Sequence, residues 1–199
     1  MAIENFNKYR IILASRSPRR QQLLRDLGLR FEVAVREYTE TYPENLKGEE
    51  IAIHLAKSKA KSFSNELADR EIVITADTIV WCNDRVLAKP ADKQDATEMI
   101  RMLSGNTHEV ITGVSLFAIF GERTFSDSTK VTFDVLTDDE IDYYIENFRP
   151  YDKAGAYGIQ EWIGIAACNR IEGSYFNVVG LPVQKLYREL QDFIKEDKR

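Results

Sequence analysis

The sequence predicts an α/β protein built on a mixed, twisted sheet with flanking helices. Three observations carry that prediction. Short apolar runs alternate with segments of helical period along most of the chain. The helical segments are punctuated by N-cap residues, prolines and glycines. Two long β-rich runs, 108–120 and 123–135, flank Gly121-Glu122 and read as an antiparallel hairpin.

The first strand is Ile11, Ile12 and Leu13, and Ser15 to Ser17 make the turn after it. Ser17 suits an N-cap, and Pro18 suits the first helical position, where no backbone N–H is needed. Gln21, Gln22, Leu23 and Leu24 carry the helix onward, and Gly28 ends it. FEVAV (31–35) reads as a second strand. Residues 48–68 have helical period, with Ile51, Leu55, Ala56, Ala60 and Phe63 on one side and Lys57, Lys59 and Lys61 on the polar face. EIVITAD (71–77) reads as a buried strand with a polar end, and TIVW and RVLAK surround a hairpin-like turn at Asn83-Asp84. Asp92 can cap a helix through Leu103, and Thr137 with Glu140 forms a capping box for a helix through Asn147. YDKAGAYGIQ (151–160) reads as a loop, and residues 182–197 as a final helix started by a proline. Internal repeats and low-complexity segments are absent from the sequence.

Composition bounds the function. The chain has 199 residues, 44% hydrophobic and 30% charged, which suits one domain of two lobes or two small domains. A net charge of −5 argues against a general nucleic-acid coat protein but leaves room for a local basic pocket. Cys82 and Cys168 stand far apart without CxxC spacing, which points to a reducing compartment rather than a disulfide or zinc scaffold. The N-terminus MAIENFNKYR is polar, without an apolar signal region, and no apolar run is long enough to span a membrane. The expected location is the cytoplasm.

The chemistry gathers in five segments. At the first helix, Ser15, Ser17, free helix N–H groups, Arg19 and Arg20 crowd one N-terminus, a place to bind phosphate. A capped surface helix with solvated arginines gives the same pattern. Asp77 is expected at the C-terminal end of a buried strand, where it can hold a metal, accept a proton from water, or merely cap a turn. LAKP (87–90) aims Lys89 from an extended backbone. SGNTHEVITGVSL (104–116) turns into a strand, and its His108 reads as a structural or surface histidine rather than as a base. YDKAGAYGIQ sets Asp152, Lys153, Tyr157 and Gln160 among small residues that let backbone approach a ligand, though a flexible surface loop gives the same pattern. The Gln160 amide offers a donor and an acceptor that could read a base edge. This inventory suits cleavage of a phosphate anhydride. GxxxxGK[ST] is absent, and no GxGxxG follows the first strand, so neither a P-loop nor a dinucleotide site is expected.

LASRSPRR, ADTIV, LAKP, SGNTHEVITGVSL and YDKAGAYGIQ, in this order, resemble the Maf family of nucleoside triphosphate pyrophosphatases over about residues 10–185. The resemblance implies a two-lobed fold like that of the inosine triphosphate pyrophosphatases, with the site in the cleft between lobes. It implies hydrolysis of a nucleoside triphosphate to the monophosphate and pyrophosphate with a divalent metal, Mg²⁺ or Mn²⁺. By position, Asp77 matches the family's proton acceptor. Ser15, Ser17, Arg20, Lys59, Lys89 and Lys153 match its phosphate-binding and charge-neutralising positions. Glu40 matches its acidic metal-site position beside Asp77. Arg19, Thr78 and Gln160 match the three positions that mark the dTTP/UTP group. Arg16 departs from the small residue found there in many members. The resemblance also implies a homodimer, and a small-molecule triphosphate rather than nucleic acid or membrane as the partner.

Two rival classes are distinguishable. A nucleotide-binding regulator of septum formation or cell division would bind a triphosphate without releasing pyrophosphate. A single-stranded nucleic-acid binder using Arg16, Arg19 and Arg20 would show salt-dependent affinity for oligonucleotides, and the acidic net charge counts against it.

Overall fold

The computed structural model describes residues 5–197; the first four residues of the polar N-terminus and the last two residues of the chain lie outside it. The strands are β1 (Arg10–Leu13), β2 (Glu32–Val33), β3 (Glu71–Cys82), β4 (Arg85–Leu87), β5 (Thr107–Ala118), β6 (Gly121–Phe133) and β7 (Cys168–Glu172). The helices are α1 (Pro18–Asp26), α2 (Glu49–Lys61), α3 (Lys93–Leu103), α4 (Asp138–Phe148), α5 (Trp162–Ala166), α6 (Tyr175–Val179) and α7 (Val183–Lys195). The strand order is β2-β1-β3-β5-β6-β7, with β4 paired to β3. β1 runs parallel to β2 and β3, whereas β4 and β7 pair antiparallel, so the sheet is mixed.

The chain divides into two compact units. The first holds residues up to Asp77, Thr112–Asp127 and everything from Gly180; the second holds Thr78–Ile111 and Ser128–Val179. In the first unit, Arg10 on β1 pairs with Glu32 on β2 and Glu71 on β3, which ties three neighbouring strands at one level. Helix α2 lies close to the sheet because its buried face is small: Ala52, Ala56 and Ala60 recur at the helical spacing of four. Gly113 on β5 completes the fit, since a Cβ there would stand 2.2 Å from the Ala52 carbonyl oxygen. The Thr75 hydroxyl on β3 donates to the Ala56 carbonyl at 2.7 Å. This close packing brings Lys59, on the last turn of α2, within reach of β3.

In the second unit, Asp92 caps α3 through the Asp95 N–H at 2.9 Å, and Thr137 and Glu140 form the expected capping box on α4. Ile100, Leu103, Phe133, Tyr144, Ile145 and Ile163 are buried there.

Several boundaries differ from expectation. β3 does not stop at Asp77 but continues to Cys82, because Val80–Cys82 pair with β4 across the Asn83-Asp84 turn. Its parallel partner β1 is in register only as far as Leu13 against Ile74, so Asp77 sits in mid-strand yet past the end of β1. FEVAV yields only the two paired residues of β2, since Val33 and Val35 are exposed and gain little from a strand. α2 stops at Lys61, with turns replacing the expected helix to residue 68. The β5–β6 turn falls at Ile119-Phe120, and Gly121 opens β6 rather than forming the turn. Pro182 caps α7 from outside instead of occupying its first turn.

Candidate active site

In the first unit, candidate residues gather at the β1–α1 turn. The Ser17 side chain accepts the Arg20 N–H at 3.4 Å, and the Ser17 N–H donates to the Ser15 hydroxyl at 3.2 Å. Ser15 is buried, Ser17 and Arg19 are half-buried, and Arg16 is exposed. Arg20 turns back into the protein. Its guanidinium donates to the Gly180 carbonyl at 2.8 Å, the Ala76 carbonyl at 2.9 Å and the Ser15 hydroxyl at 3.4 Å. The sequence suggests a cation free to meet phosphate; the structure shows one engaged with main chain on two segments, beside the residue before Asp77.

Asp77 stands at the centre of this group. Lys59 Nζ donates to Asp77 Oδ2 at 2.8 Å and to the Ala76 carbonyl at 3.2 Å. The Tyr38 hydroxyl contacts the same Oδ2 at 3.2 Å and Glu40 Oε1 at 2.5 Å. The Lys59 ammonium also lies 4.8 Å from the centre of the Tyr38 ring. Burial alone would raise the Asp77 pKa, but Lys59, Arg20 and the hydrogen bonds from Lys59 and Tyr38 outweigh it and hold the carboxyl below its ordinary value. Burial pushes the Lys59 ammonium down, with Asp77 opposing. Burial, then the neighbouring carboxylates, push the Tyr38 phenol well up, so it is a hydrogen-bond donor here and not an anion.

This arrangement keeps one carboxylate ionised between two cations. It can accept a proton from water or take a cation as ligand. Among the described residues, no three His, Cys, Asp or Glu side chains cluster as a self-sufficient metal site. Glu40 and Asp77, linked through Tyr38, supply two carboxylates. That donor set fits Mg²⁺, which is held by one or two carboxylates with water and substrate phosphate completing the shell. The sequence alone does not point to Tyr38, because an isolated tyrosine in a polar stretch carries no periodic or motif signal.

The second unit carries Thr78, Lys89, Lys153 and Gln160. Thr78 follows Asp77 along β3 and is half-buried. Lys89 is exposed on the irregular stretch before Pro90. That stretch is tied to the 151–160 loop by the Gly155 N–H, which donates to the Ala88 carbonyl at 3.1 Å. Gly155 has a positive φ of 67°, and a Cβ there would meet Val80 at 2.9 Å, so both conformation and space call for glycine. The loop is no mobile surface segment: Lys153, Ala156, Tyr157 and Ile159 are buried. Lys153, only 8% exposed, pairs with Asp152 at 2.7 Å and Glu161 at 3.1 Å. Gln160 is exposed, and its amide has no partner among the described residues. His108 is buried beneath the loop, with Nε2 2.7 Å from the Tyr157 hydroxyl. Burial lowers its pKa to about 4, so it is neutral and structural. Glu161 and Tyr144, both in contact with this loop, carry no signal in sequence, because their pairing joins a helix face to a turn 17 residues away.

The family model described as Maf-like protein matches residues 10–193. The chain belongs to the Maf family. Among Maf relatives, a protein of Phocaeicola vulgatus named dTTP/UTP pyrophosphatase is 54% identical over 95% of this chain and 98% of its own. Proteins of the same name from Porphyromonas gingivalis and Flavobacterium johnsoniae are each 50% identical, over 96% and 98% of this chain and 98% and 100% of theirs. Among solved structures, a nucleoside-triphosphatase / dITP/XTP pyrophosphatase of Mycobacterium abscessus overlaps this Maf chain with a TM-score of 0.40 at 14% identity, over 96% of this chain and 98% of that one.

Proposed function

We propose that this chain hydrolyses dTTP and UTP to the nucleoside monophosphate and pyrophosphate. The observation that carries the reading is near-full-length identity of about half to Maf relatives named dTTP/UTP pyrophosphatase. The site chemistry supports it. In the first unit, Asp77 takes the proton from the attacking water, whose oxygen joins phosphorus as the α–β anhydride bond breaks and pyrophosphate leaves. Lys59 and Arg20 hold Asp77 ionised, and Ser15 and Ser17 offer hydroxyls at the helix start. Glu40 and Asp77 would hold a divalent cation, Mg²⁺ or Mn²⁺, which supplies charge neutralisation for the polyphosphate when bound.

In the second unit, Lys89 and Lys153 are the cations assigned to polyphosphate, and Arg19, Thr78 and Gln160 are assigned to specificity. The Gln160 amide can donate to a carbonyl of thymine or uracil and accept from N3–H. Cytosine has no N3–H and an amine at position 4, so the same glutamine faces mismatched partners. Lys153 enters with its charge already balanced by Asp152 and Glu161, so of the two lysines Lys89 has its charge the more available. We read the two units as lobes of one family domain, since the family match runs through both. The compartment we assign is the cytoplasm, where free nucleoside triphosphates are found. The two free cysteines and the lack, among the described residues, of a helix able to cross a membrane fit that assignment. The homodimer implied by the family resemblance is read out by sedimentation of the pure chain. No observation favours a regulator without turnover.

The test is a panel of triphosphates with Mg²⁺ or Mn²⁺, scored for pyrophosphate. UTP and dTTP are expected to exceed CTP and the purine nucleotides in kcat/KM by about tenfold or more, the usual cost of unpaired polar groups in a recognition pocket.

A further inference from the structure

Gln160 stands at the third position of a tight turn. The Glu161 N–H donates to the Gly158 carbonyl at 2.9 Å and closes residues 158–161. Both ends of that turn meet one phenol. The Gly158 N–H donates to the Tyr144 oxygen at 3.0 Å, and the Tyr144 O–H donates to the Glu161 carboxylate. The phenol is well placed to hold them. Tyr144 is fully buried on α4, and its ring stacks on Phe148 with centroids 5.2 Å apart. The Glu161 carboxylate is fixed from a second side by Lys153 at 3.1 Å. It also closes over Gly158 so tightly that a Cβ there would meet it at 2.8 Å. Between these anchors, Ile159 is buried, while Gln160 is exposed with its amide unpartnered among the described residues.

We infer that Tyr144 and Glu161 are positioning residues for nucleotide specificity: the phenol–carboxylate pair brackets the 158–161 turn and so sets the direction in which Gln160 presents its amide. An amide can tell uracil from cytosine only if its donor and acceptor arrive in fixed order. Among the described residues no hydrogen bond holds the Gln160 amide, so the precision of the reading comes from the turn. The inference rests on the proposed UTP hydrolysis and on Gln160 as the reader of the base.

The experiment compares kcat/KM for UTP and CTP in wild type, Tyr144→Phe, Gln160→Ala and the double variant, with thermal stability measured alongside. Tyr144→Phe keeps the buried ring and removes only the hydroxyl. Loss of a hydrogen bond to a charged group predicts a fall in the UTP/CTP ratio of about tenfold, mainly through a higher KM for UTP. If Tyr144 acts through Gln160, the same substitution in the Gln160→Ala background shifts the ratio by less than about twofold. A Tyr144→Phe ratio equal to wild type overturns the inference, even where stability falls. So does an equal shift in both backgrounds. Should Tyr144→Phe fail to fold, Glu161→Gln carries the test: it keeps an acceptor for Tyr144 but loses the charge facing Lys153. Its expected fall is about threefold, smaller because the hydrogen bond to Tyr144 survives without its charge, and an unchanged ratio overturns the inference. Wild type without UTP turnover overturns the proposed function as well, whereas wild-type turnover with unshifted variants overturns this inference alone.

Discussion

Asp77 is held between Lys59 at 2.8 Å and the half-buried Arg20 guanidinium, and Tyr38 completes its contacts. Asp77→Asn is expected to lower turnover by roughly 10²–10⁴-fold, the usual contribution of a positioned base, because an amide takes no proton and has no charge to pair with the Lys59 ammonium. Steady-state kinetics on protein shown to be folded by circular dichroism checks this, and activity within about threefold of wild type removes Asp77 from the mechanism. Arg20 and Lys89 separate two kinds of cation. Lys89 is exposed, so Lys89→Ala should lower kcat/KM by roughly ten- to hundredfold, one charge-assisted contact, without moving Tm. Arg20 bonds the Gly180 and Ala76 carbonyls, so Arg20→Lys should lower both kcat/KM and stability, the latter by about 1–3 kcal/mol for the buried acceptors left unpaired. Equal Tm values for the two variants would contradict that distinction. The residue types at the site were legible in sequence: a phosphate-suited helix start, a carboxylate after a buried run, an amide in a small-residue loop. Their partners were not. Arg20 finds its acceptors 56 and 160 residues away, and Tyr144 meets Glu161 across a helix and a loop, separations that no local pattern encodes.

Elements place these side chains through backbone approach. The alanine stripe of α2 and Gly113 of β5 leave no room for a methyl group between them. Gly113→Ala should therefore destabilise the fold by about 1–3 kcal/mol or more, as overpacking does, because backbone rather than a side-chain tip must move. Urea denaturation measures it, and a change under about 0.5 kcal/mol, the level of a neutral surface substitution, would contradict the packing described. Activity should fall with it, since α2 carries Lys59. Capped helices were the most legible elements, because a side chain and the N–H groups three residues on settle a helix start locally, as at Ser17, Asp92 and Thr137. Strand limits were less so. β3 overran Asp77 because its second half pairs with β4, and FEVAV shrank to two residues because nothing covers Val33 or Val35. β7 and the short helices α5 and α6 carry no signal in sequence, for five residues show too little of any period.

At the scale of the whole molecule, His108 links stability to pH. It is only 1% exposed, and burial holds its pKa down at about 4. The unfolded chain, with a histidine near 6.5, binds the proton that the folded chain refuses, so the stability that neutral His108 secures above pH 6.5 is lost as pH falls toward 4. Between pH 7 and 5 that loss is about 2 kcal/mol. His108→Gln should flatten the profile by about this amount in denaturant titrations at the two pH values, and parallel profiles would show that His108 is not buried neutral. The central claim concerns the reaction itself, and product analysis tests it most directly. Incubation with UTP and Mg²⁺, followed by phosphorus NMR, is expected to show UMP and pyrophosphate in equal amounts, with both sharply reduced for Asp77→Asn over the same time. UDP with inorganic phosphate, or UTP recovered intact, would contradict the account.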